Sequence, residues 1–130
     1  MNNQHSPKTD SDELKRDTDR VGLSLEGRMR LDEIMADGHF KDNISCYRFA
    51  VAVALRQNTD IDKHVVVRPT GHMYLISQID PDGIIGKVLE EINPKVKGEK
   101  YRALEKYADL GMHILSEGIY ASGKLIFWDD

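Results

Sequence analysis

Residues 20–57 read RVGLSLEGRMRLDEIMADGHFKDNISCYRFAVAVALRQ, and the hydrophobic period changes twice along them. Val21, Leu23 and Leu25 alternate with Gly22, Ser24 and Glu26. That period of two predicts a short half-buried strand over 20–26. Over 26–37 the apolar residues Leu31, Ile34 and Met35 fall at helical spacing, and Gly38 stands where a helix C-cap favours glycine. A second helix is expected from 43 to about 57, with Asp42 or Asn43 as its N-cap. Its centre, Phe49-Ala50-Val51-Ala52-Val53-Ala54-Leu55, is apolar all round. The capping signal, the alanines and the length favour helix over strand there. A helix without a polar face needs neighbours on every side.

Outward from this module the chain is less regular. Residues 1–19 are polar and hold almost no apolar residue, so they are expected to form a disordered tail. After residue 58, two strands at 64–68 and 72–77 are expected to make a hairpin around Pro69-Thr70-Gly71. Asp80-Pro81 signals a helix start, and that helix should run from 81 to about 92, before Asn93-Pro94. A last helix is expected over about 99–116, with Tyr101, Leu104, Tyr107, Ala108, Met112 and Leu115 on one side. The ending Lys124-Leu125-Ile126-Phe127-Trp128-Asp129-Asp130 is unusually apolar for a terminus. Phe127 and Trp128 are therefore expected to be anchors, either in a final strand or in a peptide that a partner recognises. The expected fold is one α+β domain over 20–130, a strand-helix-helix module at 20–58 followed by hairpin and helices at 59–130.

Composition bounds the function. The 130 residues carry 18 Lys/Arg against 22 Asp/Glu, a net charge of −4, which opposes indiscriminate phosphate binding. Residues 20–58 hold six Lys/Arg against five Asp/Glu, so this segment, at +1, is the better candidate to meet DNA. No apolar run approaches the roughly 20 residues needed to span a bilayer, and the N-terminus lacks a signal-peptide pattern. A cytoplasmic protein without membrane contact is expected. Cys46 stands alone inside an apolar helix and reads as a small buried hydrophobe.

Chemistry-bearing motifs are weak. His5, His39, His64, His72 and His113 form no metal-pair spacing. Asp80, Asp82 and Gly83 sit like the middle of a calcium loop, but its first and last positions would be Gln78 and Leu89, which favours helix capping. The Gly83-Ile84-Ile85-Gly86-Lys87 run lacks phosphate-loop spacing and is expected within a helix. No nucleophile motif is present, so no catalytic centre, metal or cofactor is expected.

The order strand 20–26, helix 27–37, helix 43–57 resembles the ribbon-helix-helix family of bacterial DNA-binding proteins. The resemblance implies that two chains pair their strands into a ribbon that enters the major groove, while their second helices form the dimer core. It places Val21, Leu23, Phe49, Val51, Val53 and Leu55 at an interface between copies. Arg20 and Ser24 would face DNA, with Arg28 and Arg48 on the same surface, and Asn43 and Ser45 would meet a phosphate at the start of the second helix. The stretch Asn43-Ile44-Ser45-Cys46-Tyr47-Arg48-Phe49-Ala50 is also similar to the small E component of bacterial DNA phosphorothioation systems, allowing one extra residue at Tyr47. That similarity implies a non-enzymatic accessory protein of DNA modification and antiviral defence. The competing expectation is a protein-binding adaptor of a larger subunit, with no DNA contact of its own.

Overall fold

The computed structural model describes residues 19–67 and 73–122, with side chains described through residue 118. Residues 1–18 of the expected tail, residues 68–72 with the expected turn Pro69-Thr70-Gly71, and Phe127 and Trp128 with the rest of 123–130 lie outside the described residues. The described elements are β1 (Arg20–Gly22), α1 (Leu25–Ala36), α2 (Asn43–Arg56), β2 (Met73–Leu75), α3 (Ile76–Ile79), α4 (Ile84–Ile92), a 3-10 turn (Pro94–Val96) and α5 (Lys100–Ser122). They make an α+β arrangement that is mostly helical.

The long helix α5 is the hub. Its 23 residues extend about 34 Å, and α2, α1, α4 and β1 all pack on it. Leu104, Ala108, Met112 and Leu115 are buried along its length. Where α2 crosses α5 the backbones almost touch. A Cβ at Gly111 would overlap the Ala50 carbonyl, so only a residue without a side chain fits. The α1 helix is seated in the same way, because a Cβ at Gly27 would overlap the Asp109 carboxylate.

Local signals explain the helix ends. Ser24 caps α1 by accepting from the Gly27 N–H at 3.0 Å, and Gly38 follows the helix with φ of +80°. Asp42 caps α2 by accepting from the Ser45 N–H at 2.8 Å. Asp80 also caps, but α4 starts at Ile84 rather than at Pro81. Its carboxylate reaches forward to the N–H groups of Ile85 and Gly86, both at 2.9 Å, across a turn in which Gly83 takes φ of +77°. The Gly83–Gly86 run thus opens a helix instead of lying in its interior. At its C-terminal end α5 runs past the expected 116 to Ser122.

One expectation needs correction. Among the described residues no hairpin forms at 64–77: residues 64–67 are not in a strand, and β2 is three residues long and runs straight into α3. The partner of β2 is β1, antiparallel, with Arg20 opposite Leu75, Val21 opposite Tyr74 and Gly22 opposite Met73. The first strand, shorter than the expected 20–26, therefore pairs within its own chain. The side chains assigned to a dimer interface have a place in the single chain. Val21, Leu23, Val51 and Val53 are all buried within the single chain, and Phe49 and Leu55 pack half-buried against the same core. The α2 helix packs on α5 and α1, but it is not enclosed on every side as its apolar centre predicts, since Arg48, Ala52 and Arg56 line an exposed side. Among the described residues no helix is long and apolar enough to cross a membrane.

At the α2–α5 crossing Gly111 lies directly against the Ala50 backbone. Gly111→Ala should cost about 3 kcal/mol, because rigid backbone rather than a movable side chain opposes the new methyl group. Thermal unfolding should show a melting temperature lower by roughly 10 °C; an unchanged value would mean that α2 and α5 do not approach as described.

Candidate functional site

Backbone groups of a strand alternate between its two edges. In β1 one edge faces β2. The other presents the Arg20 carbonyl, the Gly22 N–H and carbonyl, and the Ser24 N–H just beyond the strand. Side chains answer every one of these groups. The Arg102 guanidinium donates to the Arg20 carbonyl. Gly22 N–H donates to Glu105 Oε2 at 2.9 Å, and the Tyr47 hydroxyl donates to the Gly22 carbonyl at 2.8 Å. Ser24 N–H donates to Asp109 Oδ1 at 2.9 Å, as does the Ser24 hydroxyl. Arg102, Glu105 and Asp109 are spaced three and four residues apart, one side of a helix, and they meet residues 20, 22 and 24 in that order. Helix and strand thus run in the same direction.

Asp109 continues the network outward. It is 1% exposed, and its Oδ2 lies 2.7 Å from His64 Nε2. A carboxylate oxygen accepts, so Nε2 carries the proton and Nδ1 is the ring nitrogen left over. This bond ties the 59–67 connection to α5. Beside it lies a hollow of about 240 Å³ lined by His64, Val65, Val66, Arg102, Glu105 and Lys106. A neighbouring hollow of about 330 Å³ shares Arg102 and Lys106 and adds Lys95, Glu99 and Asp62. Lys95 and Asp62 are paired at 2.8 Å. Burial pushes the Tyr47 hydroxyl well above its ordinary value, with Glu105 and Asp109 adding to the effect, so Tyr47 stays a donor.

A second polar knot lies at the opposite end of the sequence's long gap between β2 and α5. The Tyr101 hydroxyl donates to Asp80 Oδ2 at 2.7 Å. Desolvation, then this bond, pushes Tyr101 up to about 12. Together with the two α4 N–H groups, Tyr101 satisfies a buried carboxylate, which makes Asp80 structural. Cys46, fully buried, is pushed up to about 12 by burial, an inert thiol. Among the described residues no three of His, Cys, Asp and Glu come together as a metal site.

The residues expected to face DNA are largely engaged by partners within the chain. Ser24 has its hydroxyl engaged by Asp109 and Gly27. Arg48 donates to the carbonyls of Ile79 and Gln78 at the end of α3, at 2.9 and 2.8 Å. Arg20 lies 3.9 Å from Asp19, with its carbonyl held by Arg102. Arg28 pairs with Asp32 at 3.2 Å. Arg28 and Asn43 do come together, both acting on Tyr74. At the start of α2 the Ser45 N–H is donated to Asp42, so a carboxylate already occupies the place expected for a phosphate. In the single chain β1 is paired with β2 along one edge, and side chains of α5 and α2 meet the other.

The sequence reading passed over Glu105 and Asp109. Their phase was the available signal: in α5 they fall between Leu104, Ala108 and Met112, so the helix buries them with the apolar stripe. Comparison with protein-family models, curated proteins and solved structures gives no match.

Asp109→Ala should leave the Ser24 N–H, the Ser24 hydroxyl and His64 without their acceptor, at a cost of about 3 kcal/mol in denaturant unfolding. Asp109→Asn, which keeps one acceptor oxygen, should cost clearly less, and equal losses would contradict this assignment. The Asp42 carboxyl is held below its ordinary 3.8 chiefly by the Ser45 N–H. A lowered folded value means that its contribution is full above 3.8 and is lost as pH falls through the folded value. The difference in melting temperature between wild type and Asp42→Ala should accordingly be present at neutral pH and vanish in strong acid.

Proposed function

We propose that this protein is an accessory subunit of a DNA-handling assembly, attached to a larger protein through the outer face of α4. The observation that carries the attachment is a stripe of apolar side chains on that helix. Ile84, Val88 and Ile92, spaced four residues apart, are 56%, 38% and 52% exposed, while Leu89 and Gly86 on the other side are buried. Lys87 and Glu91 stand beside the stripe, also exposed. An apolar stripe with a charged rim is the usual composition of a helix that docks on a protein surface. The DNA-handling half rests on the resemblance of residues 43–50 to the small component of phosphorothioation systems and on the order strand, helix, helix over 20–56. A direct base-reading role has less support, because the side chains expected for it are largely engaged within the chain.

The test is co-purification with the proteins encoded beside this one. Wild type should bring down one of them, and the double change Ile84→Glu with Val88→Glu should abolish capture by at least about a hundredfold, since two central apolar contacts are replaced by charge. The melting temperature should stay within a few degrees, as both positions are exposed. Capture that survives the double change would defeat the proposal. So would tight binding of the isolated protein to duplex DNA with a steep salt dependence, which would shift the primary role to DNA contact.

A further inference from the structure

We propose that the hollow between the 64–66 segment and the outward side of α5 binds a phosphate group, with Lys106 and His64 as its ligands and Arg102 as its fixed charge. The proposal is independent of the α4 surface. At about 240 Å³, the hollow lies below the roughly 300 Å³ at which drug-sized sites begin, and so suits a single small polar group. Its charges are layered. Glu105 and Asp109 are buried and turned inward, where they accept from the Gly22 and Ser24 N–H groups. Arg102 and Lys106 are half-buried. Lys106 is the cation able to reach an entering group, since Arg102 Nη1 is buried beside Glu105 and its Nη2 donates to the Arg20 carbonyl.

The components are held in advance. Arg102 is anchored by the Arg20 carbonyl and lies 3.2 Å from Glu105 Oε1, so its charge is fixed before any ligand arrives. His64 is held through Nε2 by Asp109, which leaves Nδ1 to accept a hydrogen bond from the P–OH of a monohydrogen phosphate. Lys106 lines both adjoining hollows and supplies a movable ammonium. Residues 94–106 carry five Lys/Arg (Lys95, Lys97, Lys100, Arg102, Lys106) against two Glu (Glu99, Glu105), a local excess of +3 in a chain of net −4. Of the carboxylates around the two hollows, Glu99 is exposed, Asp62 is exposed but paired with Lys95, and Glu105, which lines the smaller hollow, is buried and lies 3.2 Å from Arg102. Charge-assisted hydrogen bonds from a pre-positioned set are the physical basis of phosphate recognition.

Inorganic phosphate titrated at constant ionic strength against chloride, followed by amide and imidazole NMR shifts, tests the site. Saturable shifts centred on His64 and Lys106, absent with chloride, are expected. Lys106→Gln should weaken binding about tenfold, the loss of one charged hydrogen bond, and Lys106→Arg, which keeps the charge, should retain most of it. Both variants should melt like wild type. Tighter binding of a nucleoside monophosphate would assign the phosphate to a small molecule, and tighter, salt-sensitive binding of a DNA duplex would assign it to a nucleic-acid backbone. Non-saturable shifts, equal shifts with chloride, or a Lys106→Gln protein that titrates like wild type would overturn the proposal.

Discussion

A strand of three residues cannot hold its own place, and β1 is held by one side of α5. Arg102, Glu105 and Asp109 project toward the Arg20 carbonyl, the Gly22 N–H and the Ser24 N–H, and Tyr47 from α2 closes the remaining carbonyl. Buried backbone groups left without partners are costly, and few native proteins tolerate them. Here the cost is offset by burying two carboxylates, which are themselves expensive to desolvate. Each half of the arrangement is affordable only because the other is present.

Much of the remaining structure depends on that seam. Ser24 can cap α1 and contact Asp109 only if α1 leaves β1 directly over α5, and Gly27 provides the clearance. The α2 helix crosses α5 at Ala50 and Gly111, which puts Tyr47 one turn earlier, under β1. There its ring meets Tyr74 of β2 edge-on, with centroids 5.3 Å apart. Loop 59–67 is fastened last, through His64 to the outer oxygen of Asp109. One carboxylate thus joins strand end, helix cap, glycine contact and loop. The proposed docking face is on the outer side of α4, whereas the proposed phosphate hollow adjoins the seam through Arg102.

The sequence was legible where local signals were strong. The periodicity of 26–37, the Asp42 cap and the alanine-rich centre of 43–57 correspond to α1 and α2 within a residue or two. Asp80 was readable as a cap, though not the turn that Gly83 inserts before α4. Tertiary partners were not legible. Val21 and Leu23 alternate in a way that fits a strand beside another chain as well as one beside β2, since periodicity reports burial and not the covering surface. Glu105 and Asp109 look like solvated charges in a polar-rich helix, and only their phase against Leu104, Ala108 and Met112 betrays them. His64 gave no signal at all, because its partner lies 45 residues away.

Every contact of the seam requires that β1 be sealed within one chain. Amide hydrogen exchange at Gly22 and Ser24, measured across a wide range of protein concentration, addresses this directly. Sealing by α5 predicts strong protection of both amides that does not change on dilution, because every acceptor belongs to the same chain. Protection that disappears on dilution, in step with dissociation of an oligomer, would mean that β1 is completed by another copy and would contradict the account.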